Sequence, residues 1–332
     1  MFKIMRAVGA KTPLLLALLA GFCPANAMAC ACGCGIFDTG VTSITPQDSA
    51  SGLSVFVRFS PMDQDRNHEA GYAAGPDDNA DKRIQTDFYT VGANYVIRHK
   101  WLVLAELPVI HRNFTTTGSD ARGNPVIEKV PLTGLGDALV SLTYAGFAPD
   151  MSTGIGLGVK LPTGRYTSPI DRYGDLPYDR DTLPGTGSTD FQVSAYHVGR
   201  MTPAARWFAH AQYRFAVATR QGYRPGNEVD GAAGVTYDVQ AGKTTISPVI
   251  QVIGALRGHD SGTNSDPLNS GYQRVLLAPG VRVQITRKLS VYGDVEFPIA
   301  QYVNAASSVT VEGTAGQLVA PALFKLQINY GI

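Results

Sequence analysis

Arg274-Val275-Leu276-Leu277-Ala278-Pro279-Gly280-Val281-Arg282-Val283-Gln284-Ile285 sorts by parity. Odd positions carry Val275, Leu277, Pro279, Val281, Val283 and Ile285, while even positions carry Arg274, Leu276, Ala278, Gly280, Arg282 and Gln284. Successive side chains of an extended chain point to opposite faces, so this stretch reads as a strand with one apolar face. The next stretch repeats the pattern, with Leu289, Val291, Val295, Phe297 and Ile299 opposing Ser290, Tyr292, Asp294, Glu296 and Ala300. The last sets Phe324, Leu326, Ile328, Tyr330 and Ile332 against Lys325, Gln327, Asn329 and Gly331.

Working outward from these three, twelve runs of this kind are found, at about 53–60, 84–98, 101–113, 134–145, 152–163, 189–199, 206–218, 228–239, 244–257, 272–286, 289–301 and 318–331. No helical period competes with them. The connections sort by parity as well. Short turns follow the even-numbered runs: Arg98-His99-Lys100, Gly146 to Met151, Arg200 to Ala205, Gln240 to Lys243 and Arg287-Lys288. Longer polar connections follow the odd-numbered runs, at 61–83, 114–133, 164–188, 219–227, 258–271 and 302–317. A soluble sandwich has no reason to sort its loops in this way. A membrane barrel has, because alternate hairpins emerge on opposite sides of the bilayer, short turns in the periplasm and long loops outside. In hydrocarbon every backbone N–H and C=O needs an internal partner, so a sheet spans a membrane only by closing on itself. The expected fold is therefore all-β, a closed antiparallel transmembrane β-barrel of about twelve strands. Tyr95, Trp101, Tyr144, Trp207, Tyr237, Tyr292 and Tyr330 near run ends fit an interfacial girdle.

Composition agrees. The 332 residues are 44% hydrophobic and 17% charged, with a formal net charge of +1. That is too apolar for a disordered chain and offers no basic excess for nucleic acid. Beyond the first 30 residues no apolar run approaches the ~20 residues of a spanning helix. Charge is scarcer than the roughly one quarter typical of soluble domains, as expected of a surface that does not face water everywhere.

Lys3, Arg6 and Lys11 precede the apolar run Leu14 to Phe22, and Ala27-Met28-Ala29 follows with small residues at a cleavage site. This is the order of a secretory signal, so 1–29 reads as a cleaved signal peptide, 30–52 as an N-terminal segment or plug at the periplasmic mouth, and 53–332 as the barrel. Of four cysteines Cys23 leaves with the signal, and Cys30, Cys32 and Cys34 stand together at the start of the exported chain. No required cofactor is indicated, but three thiolates at this density suit a soft metal, Cu or Zn, or a redox partner in the periplasm. Interchain disulfides, or a lipid on Cys30, are the other readings.

Three glycine-rich motifs add a resemblance. Gly134-Leu135-Gly136-Asp137, Lys160-Leu161-Pro162-Thr163-Gly164 and Gly185-Thr186-Gly187-Ser188-Thr189-Asp190 resemble the outer-membrane family named for the MetA pathway of phenol degradation. The resemblance implies a bacterial outer-membrane barrel that passes small, often hydrophobic molecules. It names no substrate.

If apolar positions face lipid, the opposite face lines the lumen. Its charged residues are Arg58, Glu106, Arg112, Asp137, Lys160, Asp190, Arg214, Glu228, Asp230, Arg274, Arg282, Asp294, Glu296 and Lys325, seven of each sign. A single-signed lining would argue for ion selectivity, and balance argues against it. Either these groups pair and fill the interior, or they line a solute path. Gly154, Gly156 and Gly158 on one face would leave space inside.

Enzymatic signals are weak. The His-x-Ser-Asn-Gly signature of twelve-stranded outer-membrane phospholipases is missing, and His259-Asp260-Ser261-Gly262 lacks the Asn. Asp63, Asp65, Asn67 and Glu69, and Asp260, Asn264 and Asp266, have calcium-like spacing that solvated loops also produce. The sequence thus points to a non-enzymatic outer-membrane channel or transporter for passive passage of small solutes, hydrophobic ones included. Its alternatives are a barrel scaffold whose cysteines bind a metal or redox partner, and a secreted soluble β protein.

Overall fold

The computed structural model describes residues 52–75, 79–120, 122–167, 180–305 and 316–332. The signal segment and Cys30, Cys32 and Cys34 lie outside them. Twelve strand positions follow in order: β1 (Gly52–Gln64), β2 (Asp81–Ile97), β3 (Trp101–Ser119), β4 (Pro125–Leu135 and Ala138–Tyr144), β5 (Thr153–Leu161), β6 (Thr189–Arg200), β7 (Ala205–Ala218), β8 (Glu228–Tyr237), β9 (Thr244–Arg257), β10 (Tyr272–Gln284), β11 (Leu289–Val303) and β12 (Leu323–Gly331). Each is antiparallel to the next, and both segments of β4 pair with β3. The ring closes through β1 and β12, where Val55 faces Tyr330 and Val57 faces Ile328. Around the ring each strand pairs on both sides, the condition for sheet in hydrocarbon, and the Pro125–Leu135 segment, in the projecting hairpin, pairs on one side alone among the described residues.

Alternation decides which residues face out. Val57, Val91, Leu157 and Ile328 are exposed on the outer wall, whereas Arg58, Thr90, Lys160 and Gln327 between them are buried. A polar residue that is buried while its apolar neighbours are exposed marks an inside-out protein, whose outer solvent is lipid. Tight turns join the strands at one end. At Arg98 and His99 φ is 51° and 52°, as in a type I′ hairpin turn.

The strands at the other end run past the membrane. β2 has 17 residues and β3 has 19, against the ~9–11 that cross a bilayer. The connection expected at 114–133 is accordingly a projecting hairpin, in which β3 continues to Ser119 and pairs with Pro125–Leu135. In this projection the polarity of the two faces reverses. Arg83 and Asp63 form an exposed ion pair outside, while Met62, Ile84, Phe114 and Leu132 are buried inside. Once lipid gives way to water, the hydrophobic effect favours apolar side chains inside.

Two pieces of loop fold inward at this long-loop end. Gln317–Val319 pairs with Arg66–Glu69, which pairs with Tyr72–Ala73, in a small separate sheet. Leu318 packs with Ile84 and Phe114, and Val319 with Ala255, Tyr272 and Val303. Ala320 joins a cluster containing Phe88, Ile110, Ile253 and Leu276. Residues 317–320 therefore bridge β2 and β3 to β9, β10 and β11. The second inward piece is a turn of 3₁₀-helix, Arg180–Thr182, with Leu183 and Pro184 behind it, all buried.

Candidate functional site

The three glycine-rich motifs, far apart in sequence, meet in one knot. Asp137 lies between the two segments of β4, and its carboxylate accepts hydrogen bonds from Lys160 Nζ (2.8 Å), Thr186 N (3.0 Å), Thr186 Oγ1 (2.7 Å) and Gly164 N (3.1 Å). Lys160 also reaches Asp190 at 3.0 Å, from the opposite position in the β5–β6 ladder. A charge placed here needs such partners, because an unpaired buried ion costs several kcal/mol. Glycines allow the backbones to approach. A Cβ on Gly185 would lie 2.5–2.7 Å from backbone atoms of Gly164, and one on Gly164 would lie 2.7 Å from Gly185 Cα.

This knot sets the root of the inward turn, and Arg112 holds its tip. The Arg112 side chain on β3 donates to Thr86 Oγ1 (2.9 Å), to the Asp181 carbonyl (3.4 Å) and to the Thr182 carbonyl. Arg180 donates to Gln221 Oε1 (2.7 Å) and to the Thr186 carbonyl (2.8 Å), with its guanidinium 5.4 Å from the Tyr166 ring centre and 5.1 Å from that of Tyr223. Burial lowers the Arg180 pKa from its ordinary value. Tyr223 OH donates to Asp260 (2.7 Å), which Arg257 also contacts at 2.6 Å. Burial, reinforced by the Asp260 charge, raises the Tyr223 pKa well above the usual tyrosine value.

Of the fourteen charged residues assigned to the lumen, ten are buried and Glu106, Asp137, Arg214 and Arg282 are half-buried. Arg58 pairs with Glu106 (3.1 Å), Lys160 with Asp137 and Asp190, Arg214 with Glu228, and Lys325 with Glu296 (3.1 Å). Asp230 accepts from Gln212 (2.9 Å), and Asp294 accepts from Tyr292 (2.7 Å) and Gln251 (3.2 Å). Arg282 donates to Gln284 (2.9 Å), and Arg274 stands over the Tyr272 ring at 4.3 Å. The ion pairs join neighbouring or next-nearest strands along the wall, so they neutralise the lining without bridging the lumen. Between them lies a cavity of about 250 Å³. Its wall combines Arg58, Glu106, Lys160, Asp190, Arg214 and Glu228 with Phe88, Pro108, Ile110 and Leu139, and the inward turn contributes Arg180, Asp181, Leu183 and Pro184.

Several expectations need correction. Tyr292 does not join a girdle; it is fully buried in the lumen, bonded to Asp294, because it shares the parity of that residue. Tyr95, Trp101, Trp207, Tyr237 and Tyr330 are exposed on the outside. Gly154 and Gly156 face inward without leaving empty space. Tyr196 occupies the place of a Gly154 side chain, and Thr143 and Ser194 crowd Gly156 with oxygens 2.5 and 2.6 Å from where its Cβ would be. The calcium-like spacings do not gather ligands: Asp63 pairs with Arg83, Asn67 bonds Gly75 O and Asn79, Asp260 takes Tyr223 and Arg257, and Asn264 donates to Gln221 O. Among the described residues no three His, Cys, Asp or Glu side chains are grouped to hold a metal. The His259 ring bonds the Pro267 carbonyl rather than Ser261. Residues that alternation did not reveal are those on the inward loops, Arg180 above all, since a polar loop carries no periodic signal of its direction.

No family model matches the chain, and no curated protein matches it. Solved structures do. The COG4313 outer membrane channel from Pseudomonas putida F1 superposes with a TM-score of 0.60 at 11% identity, over 86% of this chain and 96% of that one. The β domain of the Bordetella autotransporter BrkA gives 0.49 at 12% identity, over 85% and 100%. The CymD monoaromatic hydrocarbon channel gives 0.44 at 8%, over 89% and 94%. At 11% identity, the first likeness establishes the fold, a closed twelve-strand membrane barrel.

Proposed function

We propose that this chain is a bacterial outer-membrane channel for passive passage of small organic solutes, with the short turns in the periplasm and the long loops outside. The observation that carries the reading is the cavity inside a closed barrel. The interior is neither packed solid nor lined by one sign of charge, so a solute meets apolar and neutralised surface together. Inward turns at the long-loop end narrow the path, as a selective channel requires. The likeness in fold to the Pseudomonas putida channel supports the reading. The motifs at Gly134, Lys160 and Gly185 serve it by anchoring the inward turn. Liposomes containing the purified protein are expected to swell in small uncharged organic solutes. Liposomes that remain sealed under every solute would sink the proposal.

A further inference from the structure

Among the described residues six cations line the cavity, and one of them, Arg112, is held by Thr86 Oγ1 and the carbonyls of Asp181 and Thr182. Arg58, Lys160, Arg214 and Arg257 each contact a carboxylate within 3.1 Å. Arg180 forms no ion pair among the described residues. It is 8% exposed, its two terminal nitrogens donate to the neutral acceptors Gln221 Oε1 and Thr186 O, and its Nε has no hydrogen-bond partner. Neutral acceptors and two aromatic faces hold the guanidinium in place, and the carboxylate whose charge acts on it, Asp137, is itself bound to Lys160. Burying a charge in this way costs free energy that an incoming counter-charge would recover. Ser60 lines the same cavity, and its hydroxyl, 2% exposed, also lacks a partner. Phe88, Ile110, Leu139 and Leu183 add apolar surface to the same wall. Asp181 and Asp190 line the cavity too, and carboxylates there disfavour a ligand with several negative charges.

We propose that the cavity is a binding site for a small organic monoanion, a carboxylate on an apolar ring or short chain, whose charged end is read by Arg180. This deepens, and rests on, the reading of the lumen as a solute path. At about 250 Å³ the cavity exceeds the ~150 Å³ that holds benzene in an engineered apolar core, so a ring with one polar substituent fits. A guanidinium suits a carboxylate because its planar N–H groups match the two oxygens.

The test is equilibrium dialysis of the purified, detergent-solubilised full barrel against benzoate, benzyl alcohol and benzylamine, which share a ring and differ in charge. Saturable benzoate binding is expected, with the alcohol and the amine at least tenfold weaker. Arg180→Gln should lose benzoate at least tenfold and keep the weak binding of benzyl alcohol. Should Arg180→Gln lose both, Arg180→Lys decides: benzoate bound more tightly than benzyl alcohol supports the proposal, and no preference for benzoate overturns it. Absent benzoate saturation, benzylamine binding as tight as benzoate, or undiminished benzoate binding in Arg180→Gln each overturns it as well. Liposome swelling separates this from the channel reading. Swelling without benzoate binding removes only the anion site, and binding in a sealed barrel removes only passage.

Discussion

Gly185→Ala isolates the contact that keeps the inward turn in the lumen. The new Cβ would sit 2.5–2.7 Å from Gly164 backbone atoms, about 1 Å inside the ~3.5–4.0 Å of ordinary carbon contact. Backbone cannot swing aside as a side-chain tip can, so the two loop ends must separate. Neither glycine belongs to a barrel strand, so the strain falls on loop docking rather than on the ladder. Overpacking of this kind costs about 1–3 kcal/mol, which raises the undocked-to-docked ratio about 5- to 150-fold. Leu183, buried at the tip of the turn, reports it. In a background with Cys30, Cys32 and Cys34 changed to Ser, the labelling rate of Leu183→Cys by a membrane-impermeant maleimide should rise by that factor on adding Gly185→Ala. Gly254→Ala is the control, because a Cβ there meets nothing within 4 Å. Heat-modifiable gel migration should show both barrels folded. An unchanged labelling rate in folded Gly185→Ala protein would refute the argument that this approach docks the turn.

Lys160→Met leaves Asp137 and Asp190 without their shared cation and should lower stability by about 3–5 kcal/mol, read as an earlier denaturant midpoint; adding Asp137→Asn and Asp190→Asn should return part of it, and a lone Lys160→Met with wild-type stability would contradict the pairing. Leu157 and Leu268 are equally exposed, at 66%, yet one is on β5 and the other in a loop. Leu157→Arg should therefore cost up to about 2–4 kcal/mol in lipid and Leu268→Arg almost nothing; equal costs in reversible unfolding from vesicles would place Leu157 outside the membrane.

The barrel was legible because it is periodic. In Leu289 to Ile299 and Phe324 to Ile332 parity alone separates outer from inner face, and even the lumen charges Asp294, Glu296 and Lys325 follow from it. Assigning apolar side chains to lipid fails where the outer solvent changes. Phe114 and Leu132 are apolar yet buried inside, because the strands there have left the membrane, and it is parity, shared by Phe114 with Glu106 and Arg112, that places Phe114 inward. Nor could the sequence separate a polar loop that floats outside from one that folds in: 180–184 reads as part of a long connection, and 318–320 as the start of the last barrel strand, although Gln317–Val319 belongs to the small separate sheet and that strand begins at Leu323.

By itself the sequence determined strand number, closure and the balanced lining, because these depend on local alternation and on the demand that hydrocarbon places on every backbone group. Only the tertiary structure decided which charges neutralise one another and where space remains. Asp137, Lys160 and Thr186 come together through ladder registers and loop paths set by the closed ring. Arg180 forms no ion pair among the described residues because the same knot turns it inward, where its terminal nitrogens meet Gln221 Oε1 and the Thr186 carbonyl. Such pairings are distances between residues remote in sequence, and no local pattern encodes them.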